Sequence, residues 1–166
     1  MKLTFLFDSE MAVWVRSDAG VILFDTDSEP VDLASHARRL GFSLHDVDAV
    51  VLSHGHADHT GGLQALLDAN PNVPVYCAPG LLTPPYMTVP DGPPQFIGTP
   101  LLHGEGPRPA GLVTFTGARQ ILPDCLALNG ALGPAQTVFR QKQGDAFVVH
   151  RHQDESWLVL GRPSAS

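Results

Sequence analysis

Three imidazoles and one carboxylate fall within six residues, at His54, His56, Asp58 and His59. Neutral imidazole nitrogens and an ionised carboxylate are the donor set of zinc and its neighbours, and a turn at the end of a strand can aim several of them into one cleft. His54 and His56, two apart on extended backbone, can point the same way, whereas adjacent Asp58 and His59 project in different directions as the chain turns. The donor set implies zinc or another divalent transition metal, one or two ions, and because four donors so spread hardly close on one ion the spacing favours two. Small residues at Gly55 and Ala57, with Gly61 and Gly62 behind them, suit a tight turn into a helix. His36 and His45 stand singly and read as solvated or hydrogen-bonded residues.

The elements that must position these donors are legible around them. An apolar run at 48–52 reads as the strand that delivers the motif, and residues 63–67 as the helix that follows it. Upstream, strands at 3–7, 12–16 and 21–25 form a meander, with the turn chemistry of Ser17-Asp18-Ala19-Gly20 between the last two. Leu33, Ala37 and Leu40 then recur at helical spacing behind Pro30 and ahead of Gly41. Ser43 starts a short capped turn, the motif helix stops before Asn70-Pro71, and a strand follows at 73–77. This order gives a sheet with helices on one face and leaves its other face in need of a partner. Residues 79–109 hold nine of the fifteen prolines, so no long regular element runs through them. They are too apolar for a solvated tether and read as an excursion that walls the cleft, covers the sheet or simply packs. Strands at 112–116, 120–122, 126–128, 137–140, 146–151 and 156–160 make the remainder nearly all β. The whole of 1–166 reads as one domain, in three parts at 1–78, 79–109 and 110–166.

The stretch from His54 to His59 resembles the His-x-His-x-Asp-His signature of the metallo-β-lactamase superfamily, and Val21-Ile22-Leu23-Phe24-Asp25-Thr26 resembles that family's Asp-Thr strand. The first eighty residues are similar to the branch that includes dihydropterin-ribofuranosylaminobenzene-phosphate synthase. The resemblance implies an α+β fold, an αββα sandwich, of which this chain looks like the first half plus a shortened, β-rich second part, truncated before the family's downstream ligand turn. It further implies that His54 and His56 serve one ion and Asp58 and His59 a second, each completed from downstream, and that Asp25 supports the motif by hydrogen bonds. Asp58 would both hold a metal and orient the nucleophile. Candidates for the downstream ligands are His103 and the pair His150 and His152, with Asp124, Asp145 and Asp154 as further carboxylates. Asp27 stands where the family often has glycine.

A formal charge of -7 argues against general affinity for nucleic acid or an anionic membrane. The N-terminal apolar run is too short for a signal peptide and no later stretch suits a membrane span, which reads as cytoplasmic. Cys77 and Cys125, far apart and outside any Cys-x-x-Cys pattern, read as free thiols. The expected function is a zinc-dependent hydrolase acting on an ester, thioester, amide or phosphoester of a small molecule. The alternative is a catalytically degenerate, truncated metal-binding homologue that works as a binding or assembly module. In either case two copies could pair through the open sheet as a homodimer and complete the ligand set in trans.

Overall fold

The structure is a computed structural model that describes residues 2–5, 12–90, 92–105, 108–129, 138–143, 146–151 and 156–160. Strands β1 (Lys2–Phe5), β2 (Val13–Ser17) and β3 (Gly20–Phe24) form the expected antiparallel meander. Ser17 Oγ accepts from the Ala19 amide inside the turn. Helix α1 (Pro30–Arg39) carries proline in its first turn, and Gly41, at φ 75°, lets the chain leave it in a left-handed residue. A 3-10 turn at Leu44–Asp46 is capped by Ser43, whose Oγ accepts from the His45 amide. Strand β4 (Ala49–Val51) then leads to helices α2 (Ala57–Thr60) and α3 (Leu63–Ala69).

Beyond them lie β5 (Val75–Cys77), β6 (Pro85–Met87), β7 (Gln95–Phe96), α4 (Pro100–His103) and β8 (Leu112–Thr114). Among its described residues the proline-rich stretch thus holds only two- to four-residue elements, as its missing amide donors require. Strands β9 (Ala118–Leu122), β10 (Cys125–Asn129), β11 (Val138–Gln143), β12 (Ala146–Arg151) and β13 (Ser156–Leu160) complete the described chain.

Six strands form the principal sheet in the order β1-β2-β3-β4-β5-β8, antiparallel through β3 and parallel from β3 onward. Successive side chains alternate between its two faces. Trp14, Leu23, Val50 and Val75 join Leu33, Ala37, Leu63 and Leu66 of α1 and α3 in one core. Their immediate neighbours Val15, Ile22, Ala49 and Val51 join Cys125, Ala127 and Ile121 in another. Burial on both faces explains why β3 and β4 read as unbroken apolar runs rather than alternating ones. The face that needed a partner therefore meets β9 and β10 of the same chain. Helices, a mixed sheet and a second β layer make the α+β arrangement that the sequence suggested. Among the described residues, no helix is long and apolar enough to cross a membrane.

Candidate metal centre

Adjacent parallel strands β3 and β4 end side by side, with Phe24 in register with Val51. In open sheets of this kind, ligands gather beyond the carboxyl ends of the parallel strands. Asp25 and Ser53 occupy that edge. The Asp25 amide donates to Val51 O at 2.9 Å, and the fully buried Asp25 carboxylate turns toward the motif. Its Oδ1 accepts from the Ser53 amide at 2.7 Å, and its Oδ2 accepts from Ser53 Oγ at 2.7 Å and lies 2.8 Å from His59 Nδ1. Burial raises the Asp25 pKa, against the pull of His59 and of the Ser53 donors. With Asp25 ionised, its oxygens only accept, so His59 carries its hydrogen on Nδ1 and its lone pair on Nε2.

Ser53 passes the same constraint to the next residue. Its hydroxyl hydrogen is directed to Asp25, so its oxygen accepts from His54 Nδ1 at 2.9 Å, which puts the His54 lone pair on Nε2. That Nε2 lies 3.2 Å from His56 Nδ1. One buried carboxylate, relayed through one hydroxyl, thus selects tautomers that aim two imidazole nitrogens outward, the arrangement by which supporting groups prepare metal ligands. The resemblance implies hydrogen bonds from Asp25 to the motif, which are present, while the only sequence signal for Ser53 is a hydroxyl directly before the first motif histidine.

The second half of the motif is itself helical, where a plain turn was expected. His56 is the N-cap of α2, and its carbonyl accepts from the Thr60 amide at 3.1 Å and from Thr60 Oγ at 2.8 Å. Asp58 sits exposed in the first turn of α2, and His59 is buried against Asp25. The loop after β3 lies across this helix, with Thr26 N donating to His59 O at 2.8 Å and Gly62 N to Asp27 O at 3.0 Å. A side chain at Gly61 or Gly62 would overlap the carbonyls of Ser28 or Thr26, so the close approach requires both glycines. Asp25 and Asp27 bend the loop with φ of 58° and 70°, and the left-handed backbone at 27 accounts for glycine being frequent there in the family that the sequence resembles.

One ligand atom from each of His54, His56 and Asp58 lies within 4.8 Å of the others. Two half-buried imidazoles and an exposed carboxylate, all at a strand's carboxyl end, fit a divalent ion of the zinc type. His59 adjoins them, with Nε2 3.7 Å from Asp58 Oδ2 and its ring centroid 4.0 Å from that of His54. The other candidates lie elsewhere or outside the described residues. His103, at the end of α4, has both ring nitrogens on backbone groups of Thr99 and Leu81, and burial lowers its pKa below the usual imidazole value. Asp124 accepts from Ser17 Oγ at 3.0 Å, at the opposite end of β3 from Asp25. His150 is on β12 in register with Phe139, and only its backbone is described. His152, Asp145 and Asp154 lie outside the described residues.

The family model of the metallo-β-lactamase superfamily matches residues 7–150. A 7,8-dihydropterin-6-methyl-4-(β-D-ribofuranosyl)-aminobenzene-5'-phosphate synthase of Methanocaldococcus jannaschii is 31% identical over 71 residues, 42% of this chain and 24% of that protein. A hydroxyacylglutathione hydrolase of Alkalilimnicola ehrlichii is 43% identical over 68 residues, 39% of this chain and 24% of that protein. Among solved structures, a metal-dependent hydrolase of the β-lactamase superfamily shares the fold with a TM-score of 0.67 at 22% identity, over 93% of this chain and 56% of that one. The chain thus spans about half the length of that structure, and the matched stretch about a quarter of each curated relative. With the family model covering most of its length and the fold shared besides, the chain belongs to the metallo-β-lactamase superfamily.

Proposed function

We propose that the chain is a metal-dependent hydrolase of small molecules, acting on an ester, thioester, amide or phosphoester. The observation that carries this reading is the convergence of His54, His56 and Asp58 on one point, from a loop whose imidazole tautomers are set from behind. A zinc ion held there would supply Lewis acidity toward a carbonyl or phosphoryl oxygen and lower the pKa of water toward neutrality. His54 and His56 would hold the ion, and Asp58 would share it and orient the attacking water. His59, held by Asp25, would be the donor to a second ion beside Asp58, with His150 and His152 as the downstream residues that would complete the set. Buried Asp25 keeps the proton on His59 Nδ1 and so keeps Nε2 available to an ion.

The negative formal charge of -7 favours a small substrate over nucleic acid or an anionic membrane. Two free, buried cysteines fit the reducing conditions of a cytoplasmic protein. The curated relatives do not select the substrate, because one is named as a synthase and the other as a hydrolase, over matches of 71 and 68 residues.

A second reading, a metal-binding module without efficient turnover, is favoured by one observation. Among the described residues, no downstream histidine or carboxylate joins the group of three. Assaying a panel of thioesters, carboxylic esters and phosphodiesters before chelation, after it and after zinc is returned separates the two. Hydrolysis that disappears with chelation, returns with zinc and is lost in His56→Ala supports the hydrolase. Zinc binding with no turnover on any of the panel supports the module.

A further inference from the structure

The proline-rich stretch touches the ligand loop at points that its composition does not foretell. The Ala57 amide, between His56 and Asp58, donates to Ile97 O at 2.8 Å, and the Ile97 amide donates to Pro85 O at 3.1 Å, which ties it to β6. His103 is the second contact. Its Nε2 is 2.8 Å from Leu81 O, a carbonyl that can only accept, so this nitrogen carries the hydrogen. Nδ1 lies 3.1 Å from the Thr99 amide nitrogen and 3.0 Å from Thr99 O, and in a neutral ring with its hydrogen on Nε2 it accepts from the amide. The bond from His103 to Leu81 lies directly against Gly55, the residue between the two ligand histidines. A Cβ at Gly55 would stand 2.8 Å from Leu81 O and 3.2 Å from His103 Nε2. On the other side of the ring a Cβ at Gly98 would stand 2.5 Å from Nδ1, and the Phe96 ring meets it edge-on at 5.9 Å.

Glycine has more backbone freedom than any other residue, so nothing within Gly55 itself fixes the angle between His54 and His56. The wall outside it does. We propose that His103 is a positioning residue for the metal loop and not a metal ligand: its Nε2–H to Leu81 O bond holds the surface against which Gly55 turns, so that His54 and His56 face one point. The inference rests on the reading that those histidines hold an ion, and it assigns to the proline-rich stretch the role of a clamp, with Ile97 gripping one side of His56 and the His103–Leu81 pair the other. Removing the imidazole leaves Leu81 O without its donor and opens space beside Gly55. The loop then samples backbone angles in which the two histidines diverge. Glutamine at 103 can donate its amide to Leu81 O, and so restores the bond without restoring an imidazole.

The test compares wild type with His103→Ala, His103→Gln and Gly55→Ala in three measurements. These are zinc affinity by competition with a chelating indicator, the absorption spectrum of the cobalt(II) protein at saturation, and amide hydrogen exchange of residues 55–57 without metal. His103→Ala is expected to weaken zinc about 10- to 100-fold, the range for residues that orient ligands, with the same number of ions bound and the same cobalt spectrum. Ala57 should exchange faster in that variant, and His103→Gln should recover most of both losses. Gly55→Ala, which pushes the loop off the wall while leaving His103 in place, should weaken zinc in the same direction. Wild-type affinity and unchanged exchange in His103→Ala would overturn the inference. A changed cobalt spectrum with no recovery by glutamine would also overturn it, making His103 a ligand. Should wild type bind no zinc at all, the proposed function fails, and exchange at Ala57 still decides whether His103 holds the loop.

Discussion

Asp25, Ser53 and His54 form a short relay in which each hydrogen bond determines the next. Oxygens of an ionised carboxylate only accept, so the Ser53 hydroxyl must donate to Asp25 and can then only accept from His54. Ser53→Ala removes both contacts while changing little volume. It is expected to weaken zinc about tenfold, at the lower end for groups that orient ligands, and chelator competition would read unchanged affinity as evidence against the relay. The candidate ligands are legible because their spacing is local. Ser53 was not, because its role depends on Asp25, 28 residues away. His103 was legible only as a histidine, since its partners Leu81 and Thr99 are backbone atoms that sequence does not mark. The cysteines supply a second residue-scale expectation. Burial pushes the Cys77 thiol from 9.0 up to about 12 and the Cys125 thiol up to about 11. Both should stay unmodified by a thiol-specific disulfide reagent at pH 8 and react fully once the chain is denatured. Between pH 9.0 and about 11 to 12 the folded chain keeps protons that the unfolded chain has released, so stability should fall as pH rises through that window. Reaction of either thiol in the folded protein would contradict this burial.

At the scale of elements, the site depends on the parallel pairing of β3 and β4, whose ends bring Asp25 and Ser53 together. Helix α3 holds β4 in place from the helical side, with Leu63 and Leu66 fully buried against Val50 and Leu52 in one core. Leu66→Ala is expected to lower stability by about 2–5 kcal/mol, the range for truncating a buried leucine, as a lower midpoint in urea with an unchanged slope. A loss under about 1 kcal/mol would mean that this packing contributes little. The meander, α1, α3 and the strand before the motif were read correctly because their periodicity, Pro30 and Gly41 are local signals. Helix α2 escaped notice because its four residues, Ala57–Thr60, carry no apolar stripe and lean on the Thr26-to-Ser28 loop instead. The proline-rich stretch was correctly denied long elements, but its grip on Ala57 through Ile97 O is a backbone contact invisible in composition.

At the scale of the whole molecule, the principal sheet lies between helices on one face and β9 and β10 on the other. The order of strands and helices in the sequence implies that the second face needs cover, and does not say which later strands supply it because those contacts are long-range. The sequence-based expectation of a homodimer through an open sheet meets a face that β9 and β10 already line, and light scattering decides it: the mass of two chains supports it and the mass of one contradicts it. The account stands most directly on whether this motif holds metal. Elemental analysis of zinc per chain, on protein offered zinc and then passed through a sizing column, compares wild type with the His56→Ala, Asp58→Ala double variant. Wild type is expected to hold roughly one to two equivalents and the variant about a tenth or less, since catalytic zinc rests on about three protein ligands. Zinc absent from wild type, or equal in both proteins, would contradict it.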